Sequence, residues 1–235
     1  YAQNQKIDFP YPPLMLFIES SGGLVLHAFP KMPSFLQNVV FKLPSLCFDI
    51  LGLYWLLLMF PNERKYAGLL YFASPIIIYA TYIHGQLDII PTVLLLGCLY
   101  ELTKKTRKGI ILPAILYSCA LLCKLHIVAL LPLMLMFLYK RDGVMQSLRF
   151  CLITILFACA VMTPFASEGF LHGVLFNDEQ SILTKVFMPF ADLKIYIPIL
   201  VVVLMYYVIL NLNMINRDLL LSLSGLLFTV FLTFC

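Results

Sequence analysis

Charge is what this sequence has least of. Only 12% of its 235 residues are Asp, Glu, Lys or Arg. Soluble domains carry about a quarter. Hydrophobic residues make up 62% and mean hydropathy is +0.94, which excludes an ordinary soluble domain. An alternating apolar-polar pattern is missing, which excludes an outer-membrane barrel. The seven cysteines all lie in apolar runs. They form neither a metal-ligand cluster nor a disulfide framework. Cys119 and Cys123 stand one helical turn apart and read as packed or lipid-facing thiols. No nucleotide-binding motif occurs, so the chain's chemistry draws on no nucleotide that it binds itself. Internal repeats and low-complexity segments are absent. The net charge of +4 calls for no nucleic acid as a partner.

What is present is a series of apolar runs of membrane-spanning length. These imply an all-α fold, a polytopic transmembrane helical bundle. About eight spans are expected, near 42–60, 66–83, 87–103, 109–123, 125–139, 149–166, 194–212 and 217–235. The fourth and fifth are short for a hydrocarbon core that takes about 20 helical residues. They are expected to meet at a dip around Lys124-Leu125-His126. Residues 1–41 form an outer-face loop, and 42–235 the transmembrane domain. Within the loop, Pro10, Pro12, Pro13, Pro30 and Pro33 surround a broken apolar run. That pattern fits a pair of helices lying in the interface better than a span. The chain begins at Tyr1 without a signal peptide and ends at Cys235 inside an apolar run. It is therefore expected to be a fragment, truncated at both ends.

Basic residues give the sidedness. Arg64 and Lys65 follow the first span. Lys104, Lys105, Arg107 and Lys108 follow the third. Lys140, Arg141 and Arg149 follow the fifth, and Arg217 the seventh. These alternate loops are cytoplasmic by the positive-inside rule. The opposite side then carries residues 1–41, the polar knot at 84–88, Lys124–His126 and the segment 167–193. His27, His84, His126 and His172 all fall there.

Several polar residues stand out against this background. In "YIHGQLDII", His84, Gly85, Gln86 and Asp88 interrupt two apolar runs. Asp88 reads equally well as the cap of the next helix and as part of a polar site for a sugar or phosphate. Lys124, in "ALLCKLHIVALLP", is an ionisable residue among apolar neighbours, which is costly and functional by default. Snorkelling to the outer interface is its structural alternative. A fixed cation there suits a lipid phosphate. Asp49 sits two turns from Lys42 on roughly the same helix face. It reads first as a structural partner of another helix's polar group. The stretch 168–187 reads as an amphipathic outer helix whose Asp178, Glu179 and Gln180 form a solvated face.

The order of these stretches resembles a known family. "DFPYPPLMLFI", "FKLPSLCFDILGLYWLL", "SPIIIYATYIHGQLDIIPTVLLLGCLYEL" and "ALLCKLHIVALLP" are similar, in sequence, to successive segments of GT-C glycosyltransferases. Those integral-membrane enzymes use polyprenyl-phosphate sugars. The resemblance covers most of residues 8–139. It implies a hexosyltransferase acting on a lipid-linked or other outward-facing glycan acceptor. Asp8 and Asp88 would be its catalytic carboxylates. Tyr11, Lys42, His84, Gln86, Lys124 and His126 would bind substrate. Mg2+ or Mn2+ is a cofactor the resemblance leaves open. The partners would be the polyprenyl-phosphate-linked donor, the acceptor and the lipid bilayer. The location would be a bacterial inner membrane with the site facing the periplasm, or the ER membrane with the site facing the lumen. The family's main acidic motif would lie upstream of Tyr1, unless Asp8 is its tail. Two alternatives share the topology: a transporter or flippase for lipid-linked saccharides, and a non-catalytic subunit.

Overall fold

The computed structural model describes residues 11–83, 87–104, 109–167, 170, 174, 187–190, 193–212 and 214–234. The described chain is almost entirely helical, as the composition implies. The exception is a two-stranded antiparallel hairpin, β1 (Phe187–Phe190) and β2 (Leu193–Tyr196). The amphipathic helix expected over 168–187 lies largely outside the described residues. Its last residue, Phe187, opens β1.

The chain divides into two compact units, one of Pro12–Lys124 and one of Leu125–Cys235 together with the segment that ends at Tyr11. The boundary expected between residues 41 and 42 falls instead inside a continuous helix. In the first unit, α1 (Pro13–Ala28) packs on α2 (Ser34–Met59). Of the two helices expected before residue 41, the second is continuous with the first expected span. Pro44 lies inside α2 without ending it. Proline has no N–H for the carbonyl four residues back, which is that of Val40. Gly22 of α1 packs against this carbonyl, so closely that a Cβ would stand 3.2 Å from the oxygen. Glycine allows the two backbones to meet there.

α2 also packs on α3 (Arg64–Phe72) and α5 (Ile89–Thr103), and α5 packs on α6 (Ile111–Leu121). Between α3 and α5 the chain breaks at Ala73-Ser74. Ser74 Oγ accepts the Ile77 N–H, and Pro75 opens the short helix α4 (Pro75–Ile77). A π-helical stretch, Ile78–Ile83, follows. The single span expected over 66–83 is therefore three short pieces. α5 is the centre of the unit, with Ile90, Val93, Cys98 and Leu102 buried against its neighbours.

The second unit opens with a 3-10 stretch, Leu125–Leu130, in place of a full helix start. α7 (Leu131–Asp142) and α8 (Val144–Met162) pack on each other. One residue joins them, Gly143, with φ +83°. That left-handed conformation is readily open only to glycine. After the hairpin come α9 (Ile197–Asn211) and α10 (Arg217–Phe234), which pack together and on α7.

Among the described residues, two helices are long and apolar enough to cross a membrane: Ser34–Met59 and Val144–Phe165, where a 3-10 turn extends α8. Only 17% of each helix's most apolar window is buried. Neither is mostly covered by the rest of the described chain. Phe35, Phe41 and Ile50 of α2 and Leu148, Leu152 and Leu156 of α8 are exposed. Large apolar faces of this kind seek a lipid or protein cover.

Candidate functional site

Asp88 immediately precedes α5, the position of a helix cap. Asp88 keeps its place at the N-terminal end of α5, where the helix dipole favours an acid, but its side chain makes no capping hydrogen bond. The Asp88 Oδ1 instead accepts a hydrogen bond from Lys124 Nζ at 2.5 Å, as an ion pair. Its backbone carbonyl accepts the Thr92 hydroxyl at 2.5 Å, which fixes the first turn of α5. Lys124 follows the end of α6, and its N–H donates to the Ala120 carbonyl at 3.0 Å. α5 and α6 pack along one another, so the start of one meets the end of the other. Two residues 36 positions apart are joined at that junction. The Asp88 and Lys124 side chains are 20% and 18% exposed.

A second polar group lies in the same unit. Asp49 of α2 is buried. Its Oδ1 accepts the hydroxyl of Tyr71, and its Oδ2 accepts the hydroxyl of Tyr82 at 2.5 Å. Tyr71 also donates to the Asp49 carbonyl at 3.1 Å. The Tyr82 carbonyl in turn accepts Lys42 Nζ at 2.8 Å. Lys42 and Asp49 thus both reach Tyr82 from one face of α2. This is the structural partnership expected of Asp49, and Lys42 serves it from the exposed end. The two tyrosines were not singled out by the sequence. A usable signal existed: a carboxylate in an apolar run needs polar donors, and a tyrosine offers one from an apolar ring.

The structure brings together Asp88 and Lys124 from the expected site, and ties Lys42 to the Asp49 group. Tyr11, just before α1 in sequence, and His126, in the 3-10 stretch, are both half-buried and belong to the second unit. Asp8, His84 and Gln86 lie outside the described residues. Mg2+ and Mn2+ want several oxygen ligands. Among the described residues no three His, Cys, Asp or Glu side chains gather to hold a metal ion. Asp88 is engaged by a lysine and Asp49 by two phenols.

No protein-family model, no curated protein and no solved structure matches this chain.

Proposed function

We propose that this chain is part of a multi-pass membrane glycosyltransferase of the GT-C kind, moving a hexose from a polyprenyl-phosphate donor to an outward-facing glycan acceptor. The observation that carries the reading is the Asp88–Lys124 pair, which sets a carboxylate and a cation side by side at a helix junction. Displacement at an anomeric carbon uses one of each. The acceptor hydroxyl oxygen forms the new bond to that carbon. Its proton passes to the Asp88 carboxylate. The carbon–oxygen bond to the lipid phosphate breaks, and the electron pair leaves with the phosphate oxygen. Lys124 steadies the charge that develops there.

The order of the family-like stretches supports the reading, as do the exposed apolar faces of α2 and α8. The eight spans, with the Lys104 and Lys140 loops cytoplasmic and Asp88 and Lys124 facing the periplasm or lumen, belong to the same proposal. Membrane placement would bring a lipid-borne donor to the pair along the bilayer plane.

Full-length protein in liposomes, given a polyprenyl phosphate carrying labelled hexose and a set of lipid-linked glycans, tests it. Labelled glycan and free polyprenyl phosphate should appear in equal amounts. Movement of intact donor across the bilayer, with no bond broken, would contradict the enzyme and indicate a carrier.

A further inference from the structure

Lys124 Nζ and Asp88 Oδ1 stand 2.5 Å apart, so the cation offered to a phosphate already holds a carboxylate. A phosphate oxygen at the same ammonium would lie within a few ångströms of Asp88. Two anions that close repel strongly, the more so where water is partly excluded. Both side chains are mostly covered, at 20% and 18% exposure. The ammonium has three donors on a single nitrogen, so two anions drawn to it would still stand only a few ångströms apart.

We infer that phosphate and Asp88 compete for Lys124, and that a lipid phosphate monoester is the ligand that wins the exchange once Asp88 has taken a proton. This deepens the glycosyltransferase reading and rests on it. In the transfer step the acceptor's proton neutralises Asp88 as the phosphate leaves the sugar. The same proton frees Lys124 from its carboxylate partner. Proton capture and phosphate capture are therefore coupled through one ammonium, and the coupling works in both directions. A monoester carries up to two negative charges near neutral pH, one more than the donor diester, so the product gains most from the exchange. The carboxylate would keep Lys124 from binding stray anions tightly. Other sources of phosphate share the chemistry, and only the lipid tail separates them.

Asparagine mimics the neutral acid in size and charge, so the exchange has a signature opposite to a lost contact. Binding of decyl phosphate and of inorganic phosphate is measured by titration calorimetry on the full-length protein in detergent. The proteins are wild type, Asp88→Asn, Asp88→Ser, Asp88→Glu and Lys124→Met. Asp88→Asn and Asp88→Ser should each bind decyl phosphate more tightly than wild type, by ~5-fold or more, the low end of measured site couplings. Asp88→Glu keeps the charge and should stay near wild type. Lys124→Met should lose the binding. Inorganic phosphate should follow the same order at lower affinity if the tail adds burial, and at equal affinity the lipid source is rejected. If Lys124→Met abolishes binding but neither neutral variant tightens it, the exchange is overturned and Lys124 remains a phosphate ligand. If no variant binds decyl phosphate, or Lys124→Met binds like wild type, the exchange falls together with the phosphate role of Lys124.

Discussion

Tyr82 is held at both ends by one helix: its hydroxyl donates to Asp49 Oδ2 at 2.5 Å, and its carbonyl accepts Lys42 Nζ at 2.8 Å. Lys42 and Asp49 are seven residues apart, two turns of α2, so one helix face reaches both groups. A π-helical stretch has irregular backbone pairing, and such stretches often mark functional sites. Here it is anchored to a regular helix. Hydrogen bonds to a charged group contribute about 1.5–3 kcal/mol each. Tyr82→Phe should therefore destabilise the protein by ~1.5–3 kcal/mol in denaturant melts. Asp49→Ala should cost more than either phenylalanine variant, because it strands two phenols. Tyr71→Phe and Tyr82→Phe should combine non-additively, since they share one carboxylate. Silent single variants and a silent Asp49→Ala would show that the network contributes nothing.

Much of this was within reach of the sequence, and the residues show where it stopped. Asp88 and Lys124 stood out singly because each is an expensive residue beside apolar runs. Their pairing did not, because it depends on how α5 lies along α6. Pro44 marks another limit. The proline-rich lead up to Pro33 suggested a boundary near residue 41, yet α2 runs through that point and on through Pro44, with Gly22 packed against the Val40 carbonyl that Pro44 cannot serve. Pro75, in contrast, has Ser74 as a cap and does open a new helix. The difference lies in tertiary contacts, which periodicity does not report. The expected spans near 42–60 and 149–166 overlap the two helices long and apolar enough to cross a membrane, α2 and α8, but α3 to Ile83 is broken where one span was expected.

Glycines separate crowded from open helix faces. A Cβ at Gly52 would sit 2.7 Å from Val93 Cγ2 and 3.0 Å from the Tyr71 hydroxyl. A Cβ at Gly97 would sit 2.9 Å from Trp55 Nε1, in a cluster where Trp55 and Tyr100 stack with centroids 5.1 Å apart. Gly23 has nothing within 4 Å. Gly52→Ala and Gly97→Ala should each cost ~1–3 kcal/mol by overpacking. Gly23→Ala should be neutral or stabilise by up to ~1 kcal/mol through helix propensity. Thermal melts of the three variants check the ranking, and equal shifts would refute it.

Lys140 closes the end of α9. Its Nζ donates to the Ile209 carbonyl at 2.8 Å, the Leu210 carbonyl at 3.4 Å and the Leu212 carbonyl. The last carbonyls of a helix lack intrahelical partners and carry the negative end of its dipole. Lys140→Met keeps the stem and removes the donors. It should cost ~1–2 kcal/mol, and amide exchange should quicken at Ile209–Leu212. Unchanged exchange there would contradict the cap.

Glu19 makes stability depend on pH. It is buried on the face of α1 that meets α2, and its Oε1 has no hydrogen-bond partner among the described residues. Burial pushes the carboxyl above its ordinary value of 4.5. The folded state thus disfavours the charged form. The contribution to stability is full below the unfolded value and is lost as pH rises through the raised folded value. Wild-type Tm should fall as pH climbs from 4.5 through that window, and Glu19→Gln should flatten the curve. Parallel curves for the two proteins would show that Glu19 does not titrate against folding.

The central claim is that Asp88 takes the acceptor's proton. The test is transfer of labelled hexose from a polyprenyl-phosphate donor by Asp88→Asn in liposomes, beside a melting curve. A partly exposed ion pair adds about 1 kcal/mol or less to stability, so the variant should melt close to wild type. Its turnover should drop by ~10²-fold or more, the scale for a positioned acid-base group. Wild-type turnover from an equally stable Asp88→Asn protein would remove Asp88 from the reaction, and the account of the Asp88–Lys124 pair as a transfer site with it.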